Sequence, residues 1–144
     1  MVATTWLRTA LDAEGYAWDS NAPAAPGDRF GGTFYTGDVN LVAQVVSHPR
    51  GTLRTGLGGA WVVDEAGEFE IGPQATIALD ANLLGPATAG FEIDYGMIED
   101  DDLFRWRAEG GWVWGLAEIR AGYDRVTLGD EARGGWFTSL LLRY

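Results

Sequence analysis

Hydrophobic and polar residues alternate with a period of two along almost the whole chain. In 68–83 the odd positions, from Phe69 to Leu83, are all apolar, whereas the even positions, from Glu68 to Asn82, hold no large hydrophobe. Successive side chains of a strand point to opposite faces of the sheet, so this pattern predicts a strand with two chemically different faces. No segment keeps apolar residues at helical spacing over three turns. The chain is therefore predicted to be all-β.

The same alternation predicts eight strands within one domain, residues 1–144. They span 5–18, 33–46, 52–63, 68–83, 90–98, 103–114, 117–127 and the terminal segment 134–144. Most connections are short and rich in glycine, proline and acidic residues, which is typical of hairpins, and Gly115–Leu116 fits a two-residue II′ turn. Only 19–32 is a long connection. Eight antiparallel strands at this length predict an up-and-down β-barrel, because closure removes both sheet edges.

A closed barrel can place the apolar face on either side. In a soluble lipocalin-like barrel it lines the interior and binds an apolar ligand, whereas in a transmembrane barrel it faces lipid. Long strands, glycines on the polar face and aromatic residues towards strand ends favour the transmembrane version. The predicted aromatic belt consists of Trp61, Phe104, Trp106, Trp112, Trp114, Tyr123, Trp136 and Tyr144.

The end of the sequence carries apolar residues at alternate positions and closes on an aromatic: Trp136, Leu140, Leu142 and Tyr144. This stretch resembles the terminal strand of bacterial outer-membrane β-barrels, and the eight-strand pattern is similar to their small members of the outer-membrane protein A and X type. The resemblance implies a location in the outer membrane, contact with lipid and lipopolysaccharide, and recognition by the barrel-assembly machinery. It also implies that Tyr144 lies at the periplasmic rim and that 19–32 faces outwards. Since "MVATTWLRT" lacks the layout of a signal peptide, the protein either stays where it is made or, as the resemblance implies, the chain is a mature form without its signal peptide.

Composition narrows the range of partners. Twenty-one acidic residues against ten basic ones give a formal net charge of −11, and all the basic residues are arginine. A surface of this sign argues against nucleic-acid binding, which needs cationic contacts to phosphate. The chain has no cysteine, which excludes disulfides and thiolate metal sites. No metal or cofactor is expected.

The polar face is rich in charge, and inside a narrow barrel such charges must pair, because an uncompensated buried ion costs several kcal/mol. The sequence therefore predicts a salt-bridged plug in the lumen, and a narrow ion pathway is the less favoured alternative. The predicted ion-pair network contains Arg8, Asp12, Glu14, Asp38, Arg54, Glu68, Glu70, Asp80, Glu92, Asp94, Arg105, Arg107, Glu109, Glu118, Arg120 and Arg143.

Catalysis is not expected. The one histidine, His48, stands beside Ser47 in a predicted tight turn, and no acid is placed to orient it for a lipid-modifying reaction. The function expected from the sequence is an outer-membrane β-barrel with a polar, salt-bridged lumen and acidic outer loops, in a structural, adhesive or membrane-anchor role. The alternatives are a soluble lipocalin-like barrel and a narrow pore or part of an export channel.

Overall fold

The computed structural model describes residues 9–19, 33–64 and 66–142, with the backbone alone at positions 12, 18, 19, 141 and 142. It contains eight strands: β1 (Thr9–Asp19), β2 (Thr33–His48), β3 (Gly51–Val63), β4 (Phe69–Asn82), β5 (Ala87–Ile98), β6 (Asp101–Trp114), β7 (Ala117–Leu128) and β8 (Glu131–Leu142). No helix in these ranges is long and apolar enough to cross a membrane.

Every strand pairs antiparallel with the next one in sequence, so the eight strands form one meandering sheet in the order β1 to β8. The prediction of an all-β, antiparallel fold is confirmed. Closure is not observed: in the described ranges β1 pairs only with β2, and β8 only with β7. A cleft of about 270 Å³, lined by Ala17 of β1 and Trp136 of β8, lies between these two edges instead of a hydrogen-bonded ladder.

The strand limits differ from the predicted ones mainly at tight turns. β8 begins at Glu131 rather than at 134, because Gly129 and Asp130 alone form the preceding turn. Gly129 has a φ of 55°, which is the left-handed conformation that a two-residue hairpin loop requires. The predicted turn at Gly115–Leu116 is confirmed, with Gly115 at a φ of 62°. The last two residues of the predicted terminal strand lie outside the described residues.

The sheet curls until side chains from distant strands meet over its concave face. Arg105 on β6 reaches Asp38 on β2, where Nη1 and Oδ2 lie 3.1 Å apart. The Arg107 guanidinium, also on β6, lies 5.4 Å from the centre of the Phe137 ring on β8. The concave face consequently encloses an interior, and alternate side chains of each strand point into it.

The two faces of the sheet are inverted relative to a water-soluble sandwich or barrel. Polar and charged side chains are buried on the concave face, including Asp38, Asn40, Gln74, Asp94, Arg105, Arg107, Glu118 and Asp124. Large apolar side chains are exposed on the convex face, including Leu41, Leu57, Ile71, Ile77, Leu79, Phe91, Ile119 and Leu140. A continuous exposed apolar surface of this kind marks a face that meets something other than water.

The interior has two ends. One end, here called the turn end, is where β2, β4 and β6 finish and β3, β5 and β7 begin. The opposite end, here called the loop end, is where β2, β4, β6 and β8 begin. Buried apolar residues collect at the loop end and form the one hydrophobic cluster of the described core. This apolar seal consists of Phe34, Ala60, Val62, Ile98, Leu103, Val126 and Leu128.

Candidate functional site

Two arginines of β6 form the centre of the charged interior. Arg105 and Arg107 both point inwards because they are two residues apart on one strand. The Arg105 guanidinium donates two parallel hydrogen bonds to the Asp124 carboxylate, from Nε to Oδ1 at 3.0 Å and from Nη2 to Oδ2 at 2.5 Å. Its Nη1 donates to Asp38 at 3.1 Å. Arg105 thus ties β6 to its neighbour β7 and, across the interior, to β2.

Arg107 extends the central cluster to β1. Its Nη1 donates to Glu14 Oε1 at 2.9 Å, and its Nη2 donates to the Tyr16 hydroxyl. The Tyr16 hydroxyl in turn donates to Glu14 Oε2 at 2.5 Å. The Arg105 guanidinium lies over the Tyr16 ring, 4.1 Å from the ring centre, and makes a cation–π contact with it. These bonds hold β1 against the opposite wall of the sheet.

A second set of ion pairs runs along the turn-end half of the interior. Arg54 on β3 donates from Nε to Asp80 Oδ2 at 3.1 Å. Arg120 on β7 lies 3.6 Å from Asp80 Oδ1, pairs with Glu109 and donates from Nε to Glu118 Oε1 at 2.8 Å. Arginine is suited to this bridging role because its planar fork presents several donors at once.

Two carboxylates of β5 have weaker partners. The nearest cation to Glu92 is Arg107, with Nη1 and Oε1 3.9 Å apart, and Glu92 accepts no side-chain hydrogen bond from any described residue. Asp94 is 2% exposed, and its Oδ1 has no hydrogen-bond partner. The inward face of β5 therefore carries carboxylate oxygens that accept no hydrogen bond from the described residues.

A cavity of about 480 Å³ occupies the turn-end half of the interior. Its charged lining residues are Glu14, Arg54, Asp80, Glu92, Arg107, Glu109 and Arg120. The volume falls within the range of small-molecule sites, but the lining is more polar than in most of them. The cavity can hold water and a small polar solute beside fixed charges of both signs.

The apolar seal was not anticipated from the sequence. Its members lie at the same alternate positions as the interior charges, for example Leu103 two residues before Arg105 and Val126 two residues after Asp124. The signal was present, since the inward residues of several strands change from polar to apolar near the loop end. At that end apolar side chains pack together, and the charged residues Glu131 and Arg133 at the start of β8 lie beside them.

The structure brings together most of the predicted network. Inside the interior lie Glu14, Asp38, Arg54, Asp80, Glu92, Asp94, Arg105, Arg107, Glu109, Glu118 and Arg120. Glu70 is half-buried. Glu68 is a correction: β4 begins one residue later, so Glu68 is exposed in the β3–β4 connection, where its N–H donates to Asp64 Oδ1 at 2.8 Å. Arg8, Arg143 and the Asp12 side chain lie outside what the structure describes.

Two central residues were missing from the predicted network. Asp124 is 2% exposed and binds Arg105, and Tyr16 contacts both interior arginines. Both stand at inward positions of their strands, so the alternation that located Arg120 and Glu14 locates them as well. Strand parity alone therefore indicates both as interior residues.

The predicted aromatic belt divides into three groups on the convex face. Trp112 and Trp114 are exposed at the turn end, and Trp61 stacks on Phe69 near the loop end with ring centres 6.3 Å apart. Trp106, Tyr123 and Trp136 form a ladder across β6, β7 and β8, with centre separations of 5.7 and 5.4 Å. Phe104 is exposed near the start of β6. Tyr144 lies outside the described residues.

Residues that support nucleophilic or metal-assisted catalysis are not assembled in the described interior. His48 is exposed at the end of β2, where its Nδ1 accepts a hydrogen bond from the Arg50 N–H at 3.2 Å. Across residues 9–19, 33–64 and 66–142, no group of three or more histidine, cysteine or acidic side chains is arranged to hold a metal ion. The arrangement can pair charges and bind polar solutes.

Comparisons with known proteins do not add a family. The chain matches no protein-family model, and neither the curated proteins nor the solved structures contain a detectable relative. The class that the fold defines is an eight-stranded antiparallel meander with a charged interior.

Proposed function

We propose that this protein is a transmembrane β-barrel of the bacterial outer membrane, closed by pairing of β1 with β8 and filled by its own ion pairs. It acts without catalysis, as a structural or adhesive component of the cell envelope or as the membrane anchor of a larger assembly. Its partners are lipid, lipopolysaccharide and, through the terminal strand, the barrel-assembly machinery.

The observation that carries the proposal is the inversion of the two faces. Leu57 is 72% exposed on the convex face, whereas Arg105 is 5% exposed on the concave face. In water this arrangement forgoes most of the hydrophobic stabilisation, about 25 cal/mol for each Å² of apolar surface that could be buried. In a bilayer the same apolar surface faces hydrocarbon, and the polar face lies inside, as in known transmembrane barrels.

Strand length supports the same proposal. The strands described contain 11 to 16 residues, which is long for a globular sheet. A 12-residue strand extends about 40 Å and, tilted near 45°, crosses about 28 Å, close to the ~30 Å hydrocarbon core of a bilayer. The row of exposed apolar residues is therefore about as long as a membrane requires.

The two alternatives fit the interior less well. A lipocalin-like barrel needs an apolar cavity, but the cavity in this interior is lined by Arg54, Asp80 and other charged residues. A pore needs a continuous polar path, but the apolar seal occupies the loop end. These observations favour a lumen that is plugged.

The experiment compares two Leu→Arg variants at exposed leucines. Leu57 stands in the middle of β3, and Leu84 is 91% exposed in the β4–β5 turn. If the convex face meets lipid, Leu57→Arg lowers the free energy of unfolding in lipid vesicles by about 2–4 kcal/mol, and Leu84→Arg has an effect near zero. The readout is urea unfolding monitored by tryptophan fluorescence, together with the heat-modifiable gel mobility typical of folded barrels.

The matched pair also defines failure. In a water-soluble protein both leucines are surface residues, so both substitutions are tolerated or improve solubility. Equal tolerance of the two variants, together with a monomer that stays in solution without detergent, contradicts the membrane proposal. Selective loss of insertion by Leu57→Arg supports it.

A further inference from the structure

The turn-end cavity is a pocket with one closed end. Arg107 and Glu14 of the central cluster form its inner boundary, and beyond them the apolar seal fills the loop end. A solute can therefore reach this cavity from the turn end, where it meets charged side chains.

The arginines of the cavity wall are already engaged by carboxylates. Arg54 pairs with Asp80, Arg120 pairs with Glu109 and Glu118, and Arg107 pairs with Glu14. An anion entering the cavity has to compete with these fixed carboxylates for each guanidinium. The wall is thus poorly suited to hold an anionic ligand.

Glu92 is different, because its carboxylate lines the cavity without a hydrogen bond from the described residues. Its side chain is 18% exposed, and its closest cation, Arg107, is 3.9 Å away and already bonded to Glu14. The next inward residue of β5, Asp94, is 2% exposed and lies outside the cavity lining, so Glu92 alone of the β5 carboxylates faces the cavity. A carboxylate in a partly desolvated place is strongly stabilised by a charged N–H donor.

We infer that the turn-end cavity is a binding site for a small organic cation, a primary ammonium or guanidinium compound whose N–H groups donate to Glu92. A cavity of about 480 Å³ accommodates a molecule of several heavy atoms. A compact metal ion finds no set of three acidic or histidine ligands among the described residues. The net charge of −11 adds long-range attraction for cations.

This inference depends on the curled sheet and its interior, and it does not depend on the membrane proposal. The cavity and Glu92 are the same whether the convex face meets lipid or water. If the Leu57→Arg experiment contradicts the membrane proposal, the cation site is unaffected. If the cation titration shows no binding, the membrane proposal is unaffected.

The experiment titrates the folded, full-length protein in detergent with putrescine, succinate and Mg²⁺, using isothermal titration calorimetry. Putrescine and succinate are small linear molecules of similar length and opposite charge. Saturable, one-to-one binding of putrescine with no binding of succinate is expected. Binding of succinate as tight as that of putrescine, saturation by Mg²⁺ in place of putrescine, or no saturable binding of putrescine overturns the inference.

Two variants locate the site. Glu92→Gln keeps the shape of the side chain and is expected to weaken putrescine binding about tenfold or more, since a hydrogen bond between charged partners is lost. Glu68→Gln removes the same charge from an exposed connection and is expected to leave the affinity unchanged. Equal weakening by both variants overturns the inference, because it assigns the effect to net charge alone.

A steric variant keeps the test decisive if Glu92→Gln does not fold. Thr52 lines the cavity from β3 and carries no charge. Thr52→Phe fills space in the cavity without changing any ion pair, and it is expected to abolish putrescine binding. Unchanged binding in this variant places the ligand elsewhere on the protein and overturns the inference.

Discussion

At the scale of single residues, the interior ion pairs depend on glycines that leave room for long side chains. Gly111 stands on β6 opposite Arg120 of β7. A Cβ at Gly111 would meet the Thr88 hydroxyl first, and it would lie 2.9 Å from Glu118 Oε1 and 3.0 Å from Arg120 Cγ. The absence of a side chain at this position is what allows the Arg120–Glu118 pair to lie flat against the wall.

The adjacent glycines Gly110 and Gly111 give a matched test. Gly111→Ala is expected to lower the free energy of unfolding by about 1–3 kcal/mol, because the methyl group clashes with the Thr88 hydroxyl and with the Arg120–Glu118 pair. Gly110 faces the opposite side, where a Cβ would meet nothing nearer than 3.9 Å, so Gly110→Ala is expected to change stability by less than about 0.5 kcal/mol. Urea unfolding in detergent measures both, and equal losses would contradict this account of Gly111.

At the scale of the elements, each strand has an inward face whose chemistry changes along its length. On β6 the inward residues run from Leu103 through Arg105 and Arg107 to Glu109. On β7 they run from Glu118 through Asp124 to Leu128. Because the strands are antiparallel and in register, these changes align across the sheet and produce an apolar layer at one end and a charged layer behind it.

The layering predicts a gradient of accessibility along β3, which carries inward residues in both layers. Val62 belongs to the apolar seal, and Thr52 lines the turn-end cavity. The chain has no cysteine, so Val62→Cys and Thr52→Cys each introduce a unique thiol.

A polar, membrane-impermeant maleimide is expected to label Thr52→Cys at least about tenfold faster than Val62→Cys. The buried thiol reacts only after a local opening, and each ~1.4 kcal/mol of opening free energy slows labelling about tenfold. The measurement is the labelling rate by mass spectrometry, with unfolded protein as the reference for intrinsic reactivity. Similar rates in the folded protein would show that the loop end is open.

The period of two was enough to predict the strands and most of the interior charges, because parity alone decides which face a residue occupies. It placed Arg105, Arg107 and Glu118 correctly inside. It failed at strand limits, where Glu68 falls beyond the start of β4. It also missed the apolar seal, because parity assigns Leu128 to the inward face but does not predict that inward apolar residues of several strands pack together at one end.

At the scale of the whole molecule, the two edges of the sheet are the feature that bears most directly on the membrane proposal. The edges β1 and β8 approach each other at the cleft between Ala17 and Trp136. Exposed strand edges carry unpaired backbone N–H and C=O groups, which cannot be left unsatisfied in hydrocarbon. Closure of the sheet is therefore what the membrane proposal demands of these two strands.

Closure predicts that β1 and β8 can be cross-linked within one chain. Ala17→Cys with Trp136→Cys, treated with a short bifunctional thiol reagent, is expected to give a monomer whose mobility on a denaturing gel is shifted by an internal link. Ala17→Cys with Ala89→Cys, on β5, serves as the control and is expected to give none. A product of dimeric size from the first pair would instead indicate that β1 and β8 pair between two copies of the chain.

The apolar seal also has an electrical consequence. In a bilayer, an applied voltage falls across the segment that excludes water and ions, as at a hydrophobic constriction in a channel. If the protein spans a bilayer as proposed, water that enters the turn-end cavity keeps Arg54 and Asp80 close to the potential of the solution on that side. The voltage therefore drops mainly across Phe34, Val62, Leu128 and the rest of the seal. The interior charges, lying behind that layer, are shielded from the field and have little tendency to move with it.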